Sequence, residues 1–224
     1  MGRTTKAGFA VALVDPLPCM RAGLTLYLER SGNYRVVLSV ATGEELIAAL
    51  EGGTAVDLVL MDVRPPSGDG FAVLAWLREQ RPDVRAVAYG LPADDGSVVR
   101  SFRSGAGAML SKDMDEALLV LAVDVVQRAA VFHTAHTQQV LLDNPDGLSA
   151  EERYKQRLLA QLTKRQLEVL VLLCREDCPS SGQIGKALGI SSRTVDDHVE
   201  ELFEIFEVNK RTKLTRAAQR LGLA

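Results

Sequence analysis

Through residues 9–128, short apolar runs alternate with segments in which apolar residues recur every three or four positions. The runs FAVALV (Phe9–Val14), YRVVLSV (Tyr34–Val40), VDLVLMD (Val56–Asp62), RAVAY (Arg85–Tyr89) and AML (Ala108–Leu110) are too short for helices and predict buried strands. The segments Cys19–Glu29, Gly43–Leu50, Phe71–Glu79, Gly96–Ser104 and Glu116–Arg128 have helical periodicity. Five strand–helix units in succession predict an α/β doubly wound, five-stranded parallel sheet.

After Arg128 the pattern weakens. The stretch TAHTQQVLLDNPDGLSAEERYKQ contains Asn-Pro-Asp-Gly, a strong turn signal, and no strand able to join the sheet. Helical periodicity then returns over Lys164–Leu173, Ser181–Leu188, Ser192–Phe206 and Lys210–Arg220. The expected organisation is a sheet domain over 1–133, a linker over 134–158 and an all-α four-helix domain over 159–224.

Composition narrows the function classes. A hydrophobic share of 47% with 25% charged residues excludes a disordered or collagenous chain. No apolar run reaches the roughly 18 residues of a membrane span, and Asp15 comes too early for a signal peptide, so a cytoplasmic protein is expected. Cys19, Cys174 and Cys178 form no repeated CxxC and have no neighbouring histidine pair, so they read as reduced packing residues rather than disulfides or zinc ligands. No cofactor or metal site is read from the sequence. A net charge of −3 requires any nucleic-acid contact to come from a local patch. The excess of Arg (19) over Lys (7), with abundant Ala, Gly, Leu and Val, suggests a GC-rich genome.

Chemistry in a parallel α/β sheet gathers at the carboxyl ends of the strands, which singles out Asp15, Asp62, Gly90 and Lys112. LVLMDVRPPSGDG around Asp62, LVDPLPCMRAGL near the start and GAGAMLSKD near the end together resemble the flavodoxin-like receiver domains of bacterial response regulators, over about residues 8–130. The resemblance implies that Asp62 corresponds to the family's phosphorylated aspartate and that an acidic pair at Asp15-Pro16 would bind magnesium. Proline supplies no side-chain oxygen, so the ion loses a charged ligand. The family's phosphoryl-binding hydroxyl is replaced by Gly90, and its aromatic switch residue in the fifth strand by Met109. Lys112 remains. It forms a structural salt-bridge cluster with Asp15 and Asp62, or serves residual phosphorylation, or lines a small-ligand pocket.

The segment LTKRQLEVLVLLCREDCPSSGQIGKALGISSRTVDDHVEELFEIFEVNKRTKL is similar to the four-helix DNA-binding domain of LuxR-type regulators, a resemblance that covers about residues 159–224. The matching residues, among them Thr163, Glu168, Ile184, Gly189, Thr194, Val195, His198 and Val199, are mostly packing or capping positions. Ser191 or Ser192 caps a helix beginning near Arg193, set across its predecessor as a major-groove reader is. Ser192, Arg193, Thr194, Asp196, Asp197, His198, Glu200, Lys210 and Arg211 are the candidate DNA-contacting residues. From Ser191 to Glu207 there are six acidic residues against one basic, whereas Lys210, Arg211, Lys213, Arg216 and Arg220 are all basic. Acidic groups beside phosphates repel, although a carboxylate can accept from cytosine N4. The acidic stretch is a solvated helix face, a groove reader, or a surface pairing with the basic face of another regulator.

The order of the two resemblances predicts a regulator that binds promoter DNA and acts as a homodimer or heterodimer. Its control comes from a partner, a small ligand or abundance rather than phosphorylation. The alternative is an interaction module that heterodimerises with another regulator and makes little DNA contact. An enzyme is not expected, because the sequence has no nucleophile elbow, phosphate-cradling glycine loop or metal-ligand cluster.

Overall fold

The structure, a computed structural model, describes residues 8–91, 94–175, 177 and 179–223. It divides into two compact units, Met1–Ser149 and Ala150–Ala224.

In the first unit, β1 (Phe9–Val14), α1 (Pro18–Arg30), β2 (Tyr34–Val40), α2 (Gly43–Glu51), β3 (Leu58–Asp62), α3 (Gly70–Gln80), β4 (Arg85–Gly90), α4 (Asp95–Ser104), β5 (Ala108–Ser111) and α5 (Glu116–Ala129) follow in turn. The strands form one parallel sheet in the order β2-β1-β3-β4-β5. β3 starts two residues later than the apolar run suggests, at Leu58, where the Asp57 carboxylate accepts the Ala10 N–H at 2.7 Å.

Strand alternation sorts the core onto two faces, as expected for a sheet covered on both sides. Ala12, Val59, Met61, Ala88 and Met109 pack with α2, α3 and α4 residues such as Leu46, Leu74 and Val98. Val11, Leu13, Leu60, Val87 and Leu110 pack with Leu24 and Leu28 of α1 and Leu119 and Val123 of α5. Side-chain caps start the helices: Thr42 forms a capping box with Glu45, and Asp69, Asp94 and Asp115 accept from the first turns of α3, α4 and α5.

The segment 134–158, expected as a linker, contains two helices, α6 (Ala135–Asp143) and α7 (Ala150–Gln161). The unit boundary at Ser149/Ala150 falls between them. α6 packs on α4: Thr137 and Val140 are buried, His133 stacks near Phe102 with centroids 4.9 Å apart, and Arg103 donates to the Gly147 carbonyl at 2.7 Å. α7 places Leu158 in the core of the second unit.

The four helices expected there follow as α8 (Lys164–Leu173), α9 (Ser181–Leu188), α10 (Ser192–Ile205) and α11 (Arg211–Arg220). Val169, Leu170, Ile184, Val195, Val199, Leu202 and Leu214 close the core. Two glycines shape the α9–α10 turn. Gly189 adopts φ +69°, a left-handed conformation that favours glycine, and a Cβ on Gly185 would come within 2.7 Å of the Ile190 carbonyl oxygen. Among the described residues no helix is long and apolar enough to cross a membrane. Cys19 and Cys174 are free thiols, and burial pushes the Cys174 thiol pKa up; Cys178 lies outside the described residues.

Candidate functional site: a buried carboxylate–lysine cluster and an acidic helix

Asp15, Asp62 and Tyr89 stand at the carboxyl ends of β1, β3 and β4 on the sheet face that α1 and α5 cover. Asp62 lies opposite Tyr89 in the ladder, and Asp15 follows Val14, which pairs with Met61. Lys112 follows β5 and reaches both carboxylates, with Nζ 2.9 Å from Asp15 Oδ2 and 2.8 Å from Asp62 Oδ2. Asp15 is fully buried, Asp62 is 4% exposed, and the Lys112 side chain is 13% exposed. The carboxylate oxygens have further donors: Tyr89 Oη donates to Asp15 Oδ2 at 2.9 Å, the Leu17 N–H to Asp15 Oδ1 at 2.7 Å, and the Arg64 N–H to Asp62 Oδ1 at 2.9 Å. The Arg21 guanidinium donates to the Asp15 carbonyl.

Two pKa shifts follow from this packing. Burial, reinforced by the Asp15 carboxylate, pushes the Tyr89 phenol far above its usual range. For Lys112, burial alone would lower the pKa, but hydrogen bonds to Asp62 and Asp15 raise it above the ordinary lysine value. Lys112 also sits 5.4 Å from the Tyr89 ring centroid, within cation–π range.

The other predicted positions surround the cluster without joining its hydrogen bonds. Pro16 lines a small cavity beside Asp62, Thr42 and Gly70, with room of about 10 Å³, close to the minimum for one water. Gly90 and Met109 belong to the opposite sheet face, where Met109 is buried and its sulfur accepts from Ser101 Oγ at 3.4 Å. Tyr89 was not among the sequence candidates. Its signal was strand alternation, since it shares a sheet face with Leu13 and Leu60, whose rows end in Asp15 and Asp62.

In the second unit, Ser191 is the N-cap of α10, its Oγ accepting the Thr194 N–H at 3.0 Å, so the helix begins at Ser192. Val195, Val199 and Leu202 bury one face. Ser192, Arg193, Asp196, Asp197, Glu200 and Lys210 are exposed, whereas Thr194, His198 and Arg211 are half-buried and engaged within the unit. Thr194 belongs to the cap, His198 Nδ1 lies 3.1 Å from Glu201 Oε2, and Arg211 donates to the Pro179 carbonyl. Asp196 accepts from Ser181 Oγ at 2.6 Å. The His198 contact, followed by the Gln166 hydrogen bond, holds the Glu201 carboxyl below the ordinary range.

Residues 11–124 match the response regulator receiver domain, and residues 160–218 match the bacterial regulatory proteins of the luxR family. The transcriptional regulatory protein DegU of Brevibacillus brevis is 30% identical over 214 residues, covering 91% of this chain and 89% of that protein. The chain belongs to the LuxR-family response regulators. The nitrate/nitrite response regulator NarL of Escherichia coli K12 is 26% identical over 203 residues, covering 91% of each chain. The RcsB response regulator of Salmonella typhimurium shares the fold, with a TM-score of 0.61 at 16% identity over 95% of this chain and all of that one. As a member of the LuxR family with a receiver domain, the protein is a DNA-binding transcriptional regulator.

Proposed function

We propose that this LuxR-family regulator is a cytoplasmic protein controlled by partner binding or abundance, and that its receiver domain is not switched by aspartyl phosphorylation. The observation that carries this reading is that every carboxylate oxygen of Asp15 and Asp62 already accepts at least one hydrogen bond from the protein itself. A divalent cation of the magnesium type needs several oxygens at fixed octahedral positions. Here the protein's own ammonium, phenol and backbone N–H groups already take the carboxylate oxygens of Asp15 and Asp62, and Pro16 offers no side-chain acceptor. The residues present do not fit the metal, and no phosphoryl-transfer step is assigned to them. Gly90 in addition supplies no hydroxyl to a phosphoryl oxygen. A ligand at Asp62 would have to open a space that now admits little more than one water.

Incubating the full chain with acetyl phosphate and magnesium, followed by mass spectrometry of the intact protein and of the Asp62 peptide, tests the reading. No added phosphoryl mass is expected, nor any mobility change with beryllofluoride. Stoichiometric aspartyl phosphate on Asp62 would overturn it.

For DNA contact, the exposed face of α10 offers Ser192, Arg193, Asp196, Asp197 and Glu200, with phosphate attraction supplied by Lys210 and the basic residues of α11. Replacing Asp196, Asp197 and Glu200 with Asn or Gln is expected to tighten non-specific binding in gel shifts and flatten its dependence on sequence. The acidic face also favours a second reading, in which a basic surface of another regulator covers α10 and the partner reads most of the sequence. Under that reading the same variant loses the co-purifying partner and still binds DNA poorly.

A further inference from the structure

Among the described residues of the second unit, Gln166 alone among the polar side chains is buried, 8% exposed beside a core closed by Val169, Leu170, Val195, Val199 and Leu202. Its two ends have different partners. Oε1 accepts from the N–H and the hydroxyl of Thr163, at 2.7 and 3.0 Å, which closes the capping box that starts α8. Nε2 crosses to α10 and donates to Glu201 Oε2 at 2.9 Å. The same carboxylate oxygen lies 3.1 Å from His198 Nδ1. A carboxylate only accepts, so the amide end of Gln166 faces Glu201 and His198 Nδ1 carries a proton. Glutamine fits this place because it joins an acceptor to a donor. A glutamate there would serve the cap but set two carboxylates together, and an apolar residue would serve neither end.

A second polar contact holds the other flank of α10. Asp196 Oδ1 accepts from the hydroxyl of Ser181, in the first turn of α9, at 2.6 Å. At 3.6 residues per turn, Asp196 and Glu201 lie on opposite sides of the buried face of Val195, Val199 and Leu202, each about 90–130° round from it. The hydrophobic effect is non-directional and does not by itself fix how a helix is rolled about its axis. Directional hydrogen bonds on both flanks do. The residues they leave outermost are Arg193, Asp197, Glu200 and Glu204, all exposed. With side chains reaching about 5 Å from the axis, a roll of about 20° moves their ends by about 2 Å, enough to break a hydrogen bond to a base edge.

We propose that Gln166 and Glu201 are positioning residues for DNA reading: through the tie between them α8 sets the roll of α10, and with it the sequence preference of the bound protein. The proposal rests on the reading of α10 as the helix that faces the groove. Gln166 lies beneath that helix and acts on DNA only through Glu201. His198, a candidate DNA contact, belongs on this account to the support, with its Nδ1 held on the protein side. The Glu201 side chain is 53% exposed, so the tie can be cut there without opening the core.

Selection by the full-length protein from a pool of random-sequence DNA duplexes supplies the probe. Gel shifts at fixed salt then give the ratio of affinity for the enriched duplex to affinity for a scrambled one. Glu201→Ala and Glu201→Gln lose the same charge, but only Glu201→Gln keeps an acceptor for the Gln166 amide. The ratio is expected to fall about tenfold in Glu201→Ala, the scale of one lost bidentate base contact, and to stay within about twofold of the parent in Glu201→Gln. Non-specific affinity should shift equally in the two, since it follows charge. Gln166→Glu keeps the cap oxygen but opposes two carboxylates, and should lose the ratio as Glu201→Ala does. Adding Glu201→Gln to it should restore the ratio, because donor and acceptor have then exchanged ends. Circular dichroism and urea unfolding establish that each variant is folded; if Gln166→Glu is not, the two Glu201 variants carry the test. Equal ratios in Glu201→Ala and Glu201→Gln would overturn the proposal, as would a folded double variant no better than Gln166→Glu. Arg193→Ala, on the outer face of α10, tests the underlying reading separately. A parent that enriches no sequence, or a ratio indifferent to Arg193→Ala, would overturn that reading and this proposal together. A ratio lowered by Arg193→Ala but alike in the two Glu201 variants would overturn the positioning role alone.

Discussion

Lys112 joins two buried carboxylates, and its removal tests how much the cluster stabilises the receiver unit. Lys112→Ala leaves Asp15 and Asp62 without their shared cation, and a loss of about 3–5 kcal/mol in urea unfolding is expected for breaking a buried pair from one side. Tyr89→Phe removes one hydrogen bond to a charged acceptor that keeps its other donors, so a smaller loss of about 1.5–3 kcal/mol is expected. The same residues set an alkaline limit. Tyr89 and Lys112 both have folded pKa values above their unfolded ones, so the folded state keeps protons that the unfolded chain has begun to release. Their contribution is complete below about pH 10 and declines as pH rises through the folded values. Thermal melts from pH 8 to 11 should show this fall, and it should be shallower in Tyr89→Phe. Asp15, Asp62 and Lys112 were legible in the sequence because charged residues ending apolar strands stand out. Tyr89 was not, because an aromatic residue inside RAVAY reads as core, and its hydroxyl reaches Asp15 beyond β1, two strands away across β3, which only the strand order reveals.

Among the elements, α10 was legible nearly to the residue because its cap and its apolar period agree. Ser191→Ala removes that cap, and a cost of about 1 kcal/mol is expected in the unfolding of the second unit. At the end of α5, Ala130 holds φ +71°, a conformation glycine adopts more readily, and no local sequence signal marks it. Ala130→Gly should therefore raise the stability of the first unit, by about 1 kcal/mol in chemical denaturation. The two helices of the expected linker were hidden for a different reason. α6 buries only Thr137 and Val140 against α4 and α7 only Leu158, so neither shows an apolar stripe wide enough to separate from a polar segment. Their helicity comes from the surfaces they dock on, which the sequence does not display.

The molecule as a whole divides where α6 ends its attachment to the first unit and α7 begins its attachment to the second. A fragment spanning 150–224 should unfold cooperatively, whereas one starting at 159, the boundary suggested by the resemblance, lacks α7 and exposes the core face that Leu158 covers. A deficit of about 2–5 kcal/mol, the range for deleting a large buried side chain, is expected between the two in urea titrations. The fold class and two-part plan were readable from periodicity alone, while this division was not, because it depends on which surface each short helix meets. The receiver frame also leaves room at the end of β4. A Cβ at Gly90 would meet only Met109 Cε at 3.4 Å and Val63 Cγ2 at 3.6 Å, which are ordinary contacts, so the backbone there accepts a side chain without rearrangement. If the receiver is unswitched, as proposed, the change is shallow, a matter of a few side chains on an intact scaffold that a lineage or an engineer could reverse without rebuilding the domain.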